Sequence, residues 1–201
     1  MNLMEQIKTE PGHFYAVGVG PGTADFVTFR AGGLIHSADV IIAPRSRIAD
    51  KSLALEAAKM FLGKDQEVIE KVYAMNRNES ETVDFWKTVA CEISAWVKAG
   101  KSVVQITIGD PLLYSPSHYL LEALSGKLVP ESIHVIPGIS AFQAAGARFR
   151  ESLTIQQGRL MIMPATDLEQ VEQALDHCET LVLYKAGKLI NQLWIYWSAG
   201  I

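Results

Sequence analysis

Apolar positions along this chain change period repeatedly, and each change marks a strand or a helix. His13 to Val19 (HFYAVGV) is a short β-rich apolar run that ends among the glycines Gly18, Gly20 and Gly22. Behind it Val27, Ala31, Leu34, Ile35 and Ala38 recur at helical spacing. Asp39 to Ala43 (DVIIA) predicts the next strand, Ser52 to Leu62 a second helix, and Glu67 to Tyr73 (EVIEKVY) a third strand. The clearest helix opens near Ser80 and closes before Gly100, with Val83, Trp86, Val89, Ile93, Trp96 and Val97 on one stripe. Ser80 suits its N-cap and Gly100 the position past its C-terminus, and both tryptophans are expected in the core. Ser102 to Ile108 (SVVQITI) has the β-branched character of a buried strand and runs into Gly109-Asp110-Pro111. A helix at 117–125, a strand at 133–136 broken by Pro137-Gly138, and a small-residue helix from Ser140 to Ala147 follow.

Strand and helix therefore alternate from residue 13 to about residue 147, which predicts parallel strands covered by helices, an α/β architecture. The alternation resumes with a strand at Leu160 to Met163, a helix at Leu168 to Leu175 and a strand at Thr180 to Tyr184. Prolines cluster between residues 111 and 116, and the domain junction is expected there. The domains are thus read as 1–113, with a parallel sheet, and 114–201.

Composition narrows the function classes. The chain has 201 residues, 49% hydrophobic and 20% charged, ordinary values for a soluble globular protein. A net charge of −4 argues against wholesale nucleic-acid or membrane binding, since both favour a basic surface. Cys91 and Cys178 lie far apart without metal-ligand spacing, so they are expected as small buried side chains rather than a disulfide or zinc site, and no metal is expected. The N-terminus lacks a signal-peptide pattern, and no run approaches the roughly 18 apolar residues that span a bilayer. A cytoplasmic protein is the expectation.

Three glycine-bearing turns follow strands, where open α/β sheets place ligands. Gly18-Val19-Gly20-Pro21-Gly22 permits close backbone approach, but it is not a GxGxxG loop, and Pro21 has no N–H to offer a phosphate. In Gly109-Asp110-Pro111 the carboxylate either binds a ligand group or fixes the turn, and the local sequence leaves both open. The turn at 137–141 puts a hydroxyl and small residues at a helix start. A GxSxG elbow and a GxxxxGK[ST] loop are both absent from the sequence. His13, His36, His118, His134 and His177 are scattered and read as structural or surface residues.

Taken in order, YAVGVGPGTADFVTFRA, HSADVIIAP, ITIGDPLLYSP, VIPGISAFQAA and LVLYKAG resemble the tetrapyrrole methylase family from about His13 to Lys188. IGDPLLYSPSHYL and SLALEAA are similar to the branch that methylates C20 of precorrin-2 or cobalt-factor II. The resemblance implies two α/β domains with the active site in the cleft between them. It also implies S-adenosylmethionine as methyl donor, S-adenosylhomocysteine as product, a tetrapyrrole substrate on the way to cobalamin, and a homodimer. Carried over by motif, the cofactor contacts are Pro21, Ile108, Gly109, Asp110, Leu113, Ser140, Ala141, Tyr184 and Lys185. Asp110 is expected to pair with the cofactor's ammonium group. Gly18, Gly20 and Gly22 face the substrate trough, and Arg30, Arg45 and Arg47 are candidates for holding substrate carboxylates, with Lys51 nearby. The proton-removing base is not identified, and Tyr114, Asp25 and His118 are candidates through nearness to the motifs.

Members of that branch run longer than this chain, whose last stretch is NQLWIYWSAGI. The second domain is therefore expected to be incomplete, with an exposed sheet edge. The rival readings are a methylase acting on another ring carbon, a ribosomal-RNA methylase disfavoured by the acidic balance, and a catalytically impaired protein that binds the cofactor or a tetrapyrrole.

Overall fold

A computed structural model describes residues 6–45, 51–73 and 79–198. Strands β1 (Phe14–Gly18), β2 (Val40–Arg45), β3 (Glu67–Val72), β4 (Val103–Thr107), β5 (Ile133–Ile136), β6 (Leu160–Pro164) and β7 (Thr180–Tyr184) alternate with helices. The helices are α1 (Phe29–Ser37), α2 (Leu53–Ala58), α3 (Glu79–Lys98), α4 (Ser117–Ser125), α5 (Ala141–Phe149), α6 (Leu168–Leu175) and α7 (Ile190–Ser198). The α/β architecture expected from the alternation is present. Side-chain caps help set the helix starts: Thr28 accepts from Ala31 N, Ser52 from Leu55 N and Asp167 from Glu169 N. Helix α3 begins at Glu79, so Ser80 lies inside it rather than capping it.

The chain divides into two compact units, residues 1–141 and 142–201. In the first, five parallel strands run in the order β3-β2-β4-β1-β5. Strand β5 pairs with β1 from Phe14↔Ile133 to Val17↔Ile136, which draws α4 and β5 into the first unit. The junction expected at 113/114 is corrected on this point. The prolines at 111–116 turn the chain inside the first unit, and backbone pairing between β1 and β5 decides membership.

The strand order explains the layers. The crossovers β1-α1-β2 and β2-α2-β3 step one way across the sheet, whereas β3-α3-β4 and β4-α4-β5 step the other way. Right-handed connections then place α1 and α2 on one face and α3 and α4 on the opposite face. Alternate strand residues divide accordingly: Tyr15, Val17, Ile41, Val104 and Ile106 pack with Leu34, Ile35 and Ala54, while Phe14, Ala16, Ile42 and Val103 pack with Trp86, Ile93 and Leu120. Trp86 is fully buried and Trp96 half-buried at the margin of that second layer. Cys91 is exposed on α3 and Cys178 is half-buried, so the expectation of two buried cysteines fails.

The second unit holds a parallel pair, β6 and β7, every residue of which is half-buried. Its core centres on Ala165, Val171 and Leu193. Residues 190–198 form α7, an element the sequence reading did not assign, with Leu193 at 2% exposure and Trp194 at 73%. Among the described residues no helix is long and apolar enough to cross a membrane.

Candidate functional site

The C-terminal ends of β4, β1 and β5 lie side by side, because the three strands are parallel neighbours. The chain leaves β1 for one face of the sheet and β4 for the other, so the two outgoing loops part at this edge. Three glycines meet there. A Cβ on Gly18 would lie 2.5 Å from Gly109 O and 2.7 Å from Gly138 N, and one on Gly138 would lie 2.1 Å from Gly109 O. Only glycine lets three backbones approach this closely. Gly109 N donates to Gly20 O at 2.7 Å, joining the first turn to the second. Gly109 holds φ at 71°, and the space where its side chain would stand is open.

Asp110 pins this junction. One carboxylate oxygen accepts from Leu112 N at 2.8 Å, closing an Asx-turn, and the other accepts from Gly138 N at 3.0 Å, tying the β4 turn to the β5 turn. The turn-fixing role left open by the local sequence is therefore occupied. Among the described residues the carboxylate has no ion-pair partner, and it lies beside the open face of Gly109.

The sequence-predicted residues divide by unit. Pro21, Ile108, Gly109, Asp110, Leu113, Ser140 and Ala141 all belong to the first, on the turns that follow β1, β4 and β5. Pro21, Ile108 and Leu113 are half-buried, Ser140 is buried and Ala141, the first residue of α5, is exposed. Tyr184 and Lys185 belong to the second unit, at the end of β7, where Lys185 takes a left-handed φ of 57°. Gly20 and Gly22 also have positive φ. Arg45 ends β2 and pairs with Glu70 of β3 at 3.8 Å, so it is not a free cation. Arg30 is exposed on the first turn of α1, and its charge is felt by Tyr15 and His134. Arg47 lies outside the described residues.

Asp25 is exposed on a short 3-10 turn at Ala24–Phe26, and His118 is exposed on the first turn of α4. Tyr114 is 42% exposed and has a φ of 49°, an uncommon conformation for a bulky residue. Away from this edge, His13 Nδ1 and His134 Nε2 lie 2.8 Å apart, and their rings stack with Tyr15. Burial, then the neighbouring His13, lowers the His134 pKa below the usual histidine value.

Sequence reading missed a buried polar chain beneath the second turn: Gln105, Ser117, Ser115 and Thr107. Its one visible signal is a glutamine in the middle of the apolar run SVVQITI.

Comparisons with known proteins agree with this geometry. The family described as Tetrapyrrole (Corrin/Porphyrin) Methylases matches residues 13–196. Cobalt-precorrin-2 C(20)-methyltransferase of Salmonella typhimurium is 35% identical over 175 residues, 87% of this chain and 73% of that protein. A probable cobalt-precorrin-2 C(20)-methyltransferase of Methanocaldococcus jannaschii is 29% identical over 180 residues, 89% of this chain and 74% of the relative. Among solved structures, a cobalt precorrin-4 methyltransferase has the same fold with a TM-score of 0.64 at 21% identity, over 94% of this chain and 73% of the other. The uroporphyrin-III-C-methyltransferase of Thermus thermophilus gives 0.56 at 18% identity, over 78% of this chain and 60% of the other. With glycine turns converging at the sheet edge and a family match that leaves out little beyond the two ends, this chain belongs to the tetrapyrrole (corrin/porphyrin) methylase family.

Proposed function

We propose that this chain transfers a methyl group from S-adenosylmethionine to C20 of precorrin-2 or its cobalt complex, a step of cobalamin biosynthesis. The observation that carries the reading is the convergence of the β1, β4 and β5 turns through Gly18, Gly109, Gly138 and Asp110. Two C20-methyltransferases that match more than four fifths of the chain support the choice of ring position.

The residues fit such a donor. A carboxylate held by two backbone N–H groups, with no cationic partner among the described residues, suits an ammonium group. The half-buried Pro21, Ile108 and Leu113 offer apolar surface beside it, and Ser140 and Ala141 contribute a hydroxyl and a small residue where α5 starts. The family motif also makes Tyr184 and Lys185 candidates for cofactor contact. S-adenosylmethionine supplies an activated methyl sulfonium, so the chain's part is chiefly to hold donor methyl and acceptor carbon in line. As C20 bonds to the methyl, the old S–C electron pair stays on sulfur, and the C20 proton must then leave to a base. Tyr114, Asp25 and His118 are the candidates for that role. The turn that holds Gly20 and Gly22, open where a Gly22 side chain would stand, faces the macrocycle, whose carboxylates are matched by Arg30 and Arg47. Arg45 would have to exchange Glu70 for substrate to join them. A cytoplasmic homodimer completes the proposal.

Incubation with S-adenosylmethionine and either precorrin-2 or cobalt-precorrin-2, followed by mass spectrometry and carbon NMR, tests it. Gain of one methyl at C20 is expected. The second reading is a methylase that acts on another ring carbon. Methylation elsewhere would select that reading. Calorimetric binding of S-adenosylhomocysteine without turnover would select an impaired protein.

A further inference from the structure

We propose that Gln105 is a positioning residue for the methyl transfer, acting through Ser117 and Ser115 to fix the loop 108–116. The inference rests on the function proposed above, because that loop carries Gly109, Asp110, Leu113 and Tyr114.

Gln105 is fully buried in the middle of β4, on the face covered by α3 and α4. An amide in that layer is tolerated only when its polar atoms are satisfied. Its Nε2 donates to Ile106 O at 3.2 Å and points to Tyr73 Oη at 3.5 Å, and its Oε1 accepts from Ser117 Oγ at 3.0 Å. Burial pushes the Tyr73 phenol far above its usual pKa, so that partner stays neutral. Ser115 Oγ donates to Ser117 Oγ at 3.0 Å and accepts from Ser117 N at 3.2 Å.

A serine hydroxyl has one proton. Ser117 spends its proton on Gln105 and Ser115 spends its proton on Ser117, so Thr107 must be the donor in the 3.3 Å contact between Thr107 and Ser115. The chain therefore runs in one direction, Thr107 to Ser115 to Ser117 to Gln105. Thr107 is the last residue of β4 and Ser117 the first of α4. The hydroxyl chain thus clamps the loop where it leaves the sheet and where it returns, while Asp110 pins its far side to Gly138. Tyr114 sits between the two attachments in its left-handed conformation, which persists only where surrounding structure imposes it. Removing the amide oxygen that ends the chain frees the serine protons to reorient, and the loop loses its base.

The test uses Gln105→Leu, Ser115→Ala and Ser115→Thr in the full chain. Gln105→Leu and Ser115→Ala are expected to lower kcat roughly ten- to a hundredfold, the scale of a small misplacement of reacting groups. KM for the tetrapyrrole should change by less than about threefold. Amide hydrogen exchange across 112–117 should speed up at least about tenfold in both, with exchange in β1 and β4 unchanged. Ser115→Thr keeps the hydroxyl and should stay near the wild type in both readouts. Unchanged loop exchange in a folded variant overturns the proposal. So does exchange that rises equally throughout the first unit, with kcat lost in proportion to the unfolded fraction. Should Gln105→Leu fail to fold, the half-buried Ser115 pair decides alone. A wild type that exchanges slowly across 112–117 but transfers no methyl group refutes the parent function, and the loop exchange of the variants still decides the clamp.

Discussion

The two parallel sheets of this chain are built from strands that look alike and are covered very differently. FYAVG and VVQIT in the first unit are buried at every position, with helices on both faces. LMIMP and TLVLY in the second are as apolar, yet every residue is half-buried around a core of Ala165, Val171 and Leu193. Strand composition therefore reports strand type, whereas burial depends on how many helices and neighbouring strands close over it. A two-stranded sheet removes little apolar area from water, and its contribution to stability is correspondingly modest.

Glycine substitutions test this contrast most severely. Gly138→Ala places a methyl 2.1 Å from Gly109 O, where only backbone can yield, and a loss of about 3 kcal/mol or more is expected. Gly187→Ala in the second unit meets no atom within 4 Å and should stay within about 0.5 kcal/mol of the wild type. Denaturant unfolding measures both, and similar effects at the two sites would dissolve the distinction.

Mid-strand truncations come next. Ile42→Ala, at 0% exposure between two helix layers, is expected to cost about 2 to 5 kcal/mol. Leu183→Ala on the half-buried β7 should cost about 1 to 2 kcal/mol, because less of its surface is removed from water. A Leu183 effect equal to that of Ile42 would mean that the second core is tighter than its exposure indicates.

The smallest effects concern pH. The His134 pKa is lowered in the folded protein, so its neutral form contributes stability that is complete above the usual value of 6.5 and is lost as pH falls through the lowered value. His134→Gln should flatten the stability profile in that window. In the second unit Arg159 holds the Glu179 carboxyl down to about 2 from 4.5, so its contribution is complete above 4.5 and disappears toward pH 2. Both side chains of that pair are more than half exposed, so Glu179→Gln should change stability only slightly. A slope from Glu179 steeper than that from His134 would reverse the expected ranking.

Much of the fold was legible because periodicity is local. Each expected strand from His13 to Tyr184 is present within a few residues, and so are the expected helices, with α3 one residue longer at its start. The three turns were legible too, since glycine and proline restrict the backbone wherever they stand. The stretch 190–198 misled because its crowded aromatic and apolar residues have no clear period, although it forms α7. Cys91 misled because cysteine is usually buried, whereas here it occupies the solvent side of α3. Arg45 was expected to be available, but its partner Glu70 comes from a different strand.

Between residues 13 and 184, element type, element order and the positions of the glycine turns were settled by the sequence itself, because each follows from the preferences of neighbouring residues. Three-dimensional packing alone decided that β5 flanks β1, that Gly18, Gly109 and Gly138 touch, and that Asp110 reaches Gly138, 28 positions away. It also decided that Gln105 is satisfied by a serine arriving after a loop. Hydrogen-bond partners and close backbone approaches join residues far apart in the chain, and no local pattern records which of them will meet.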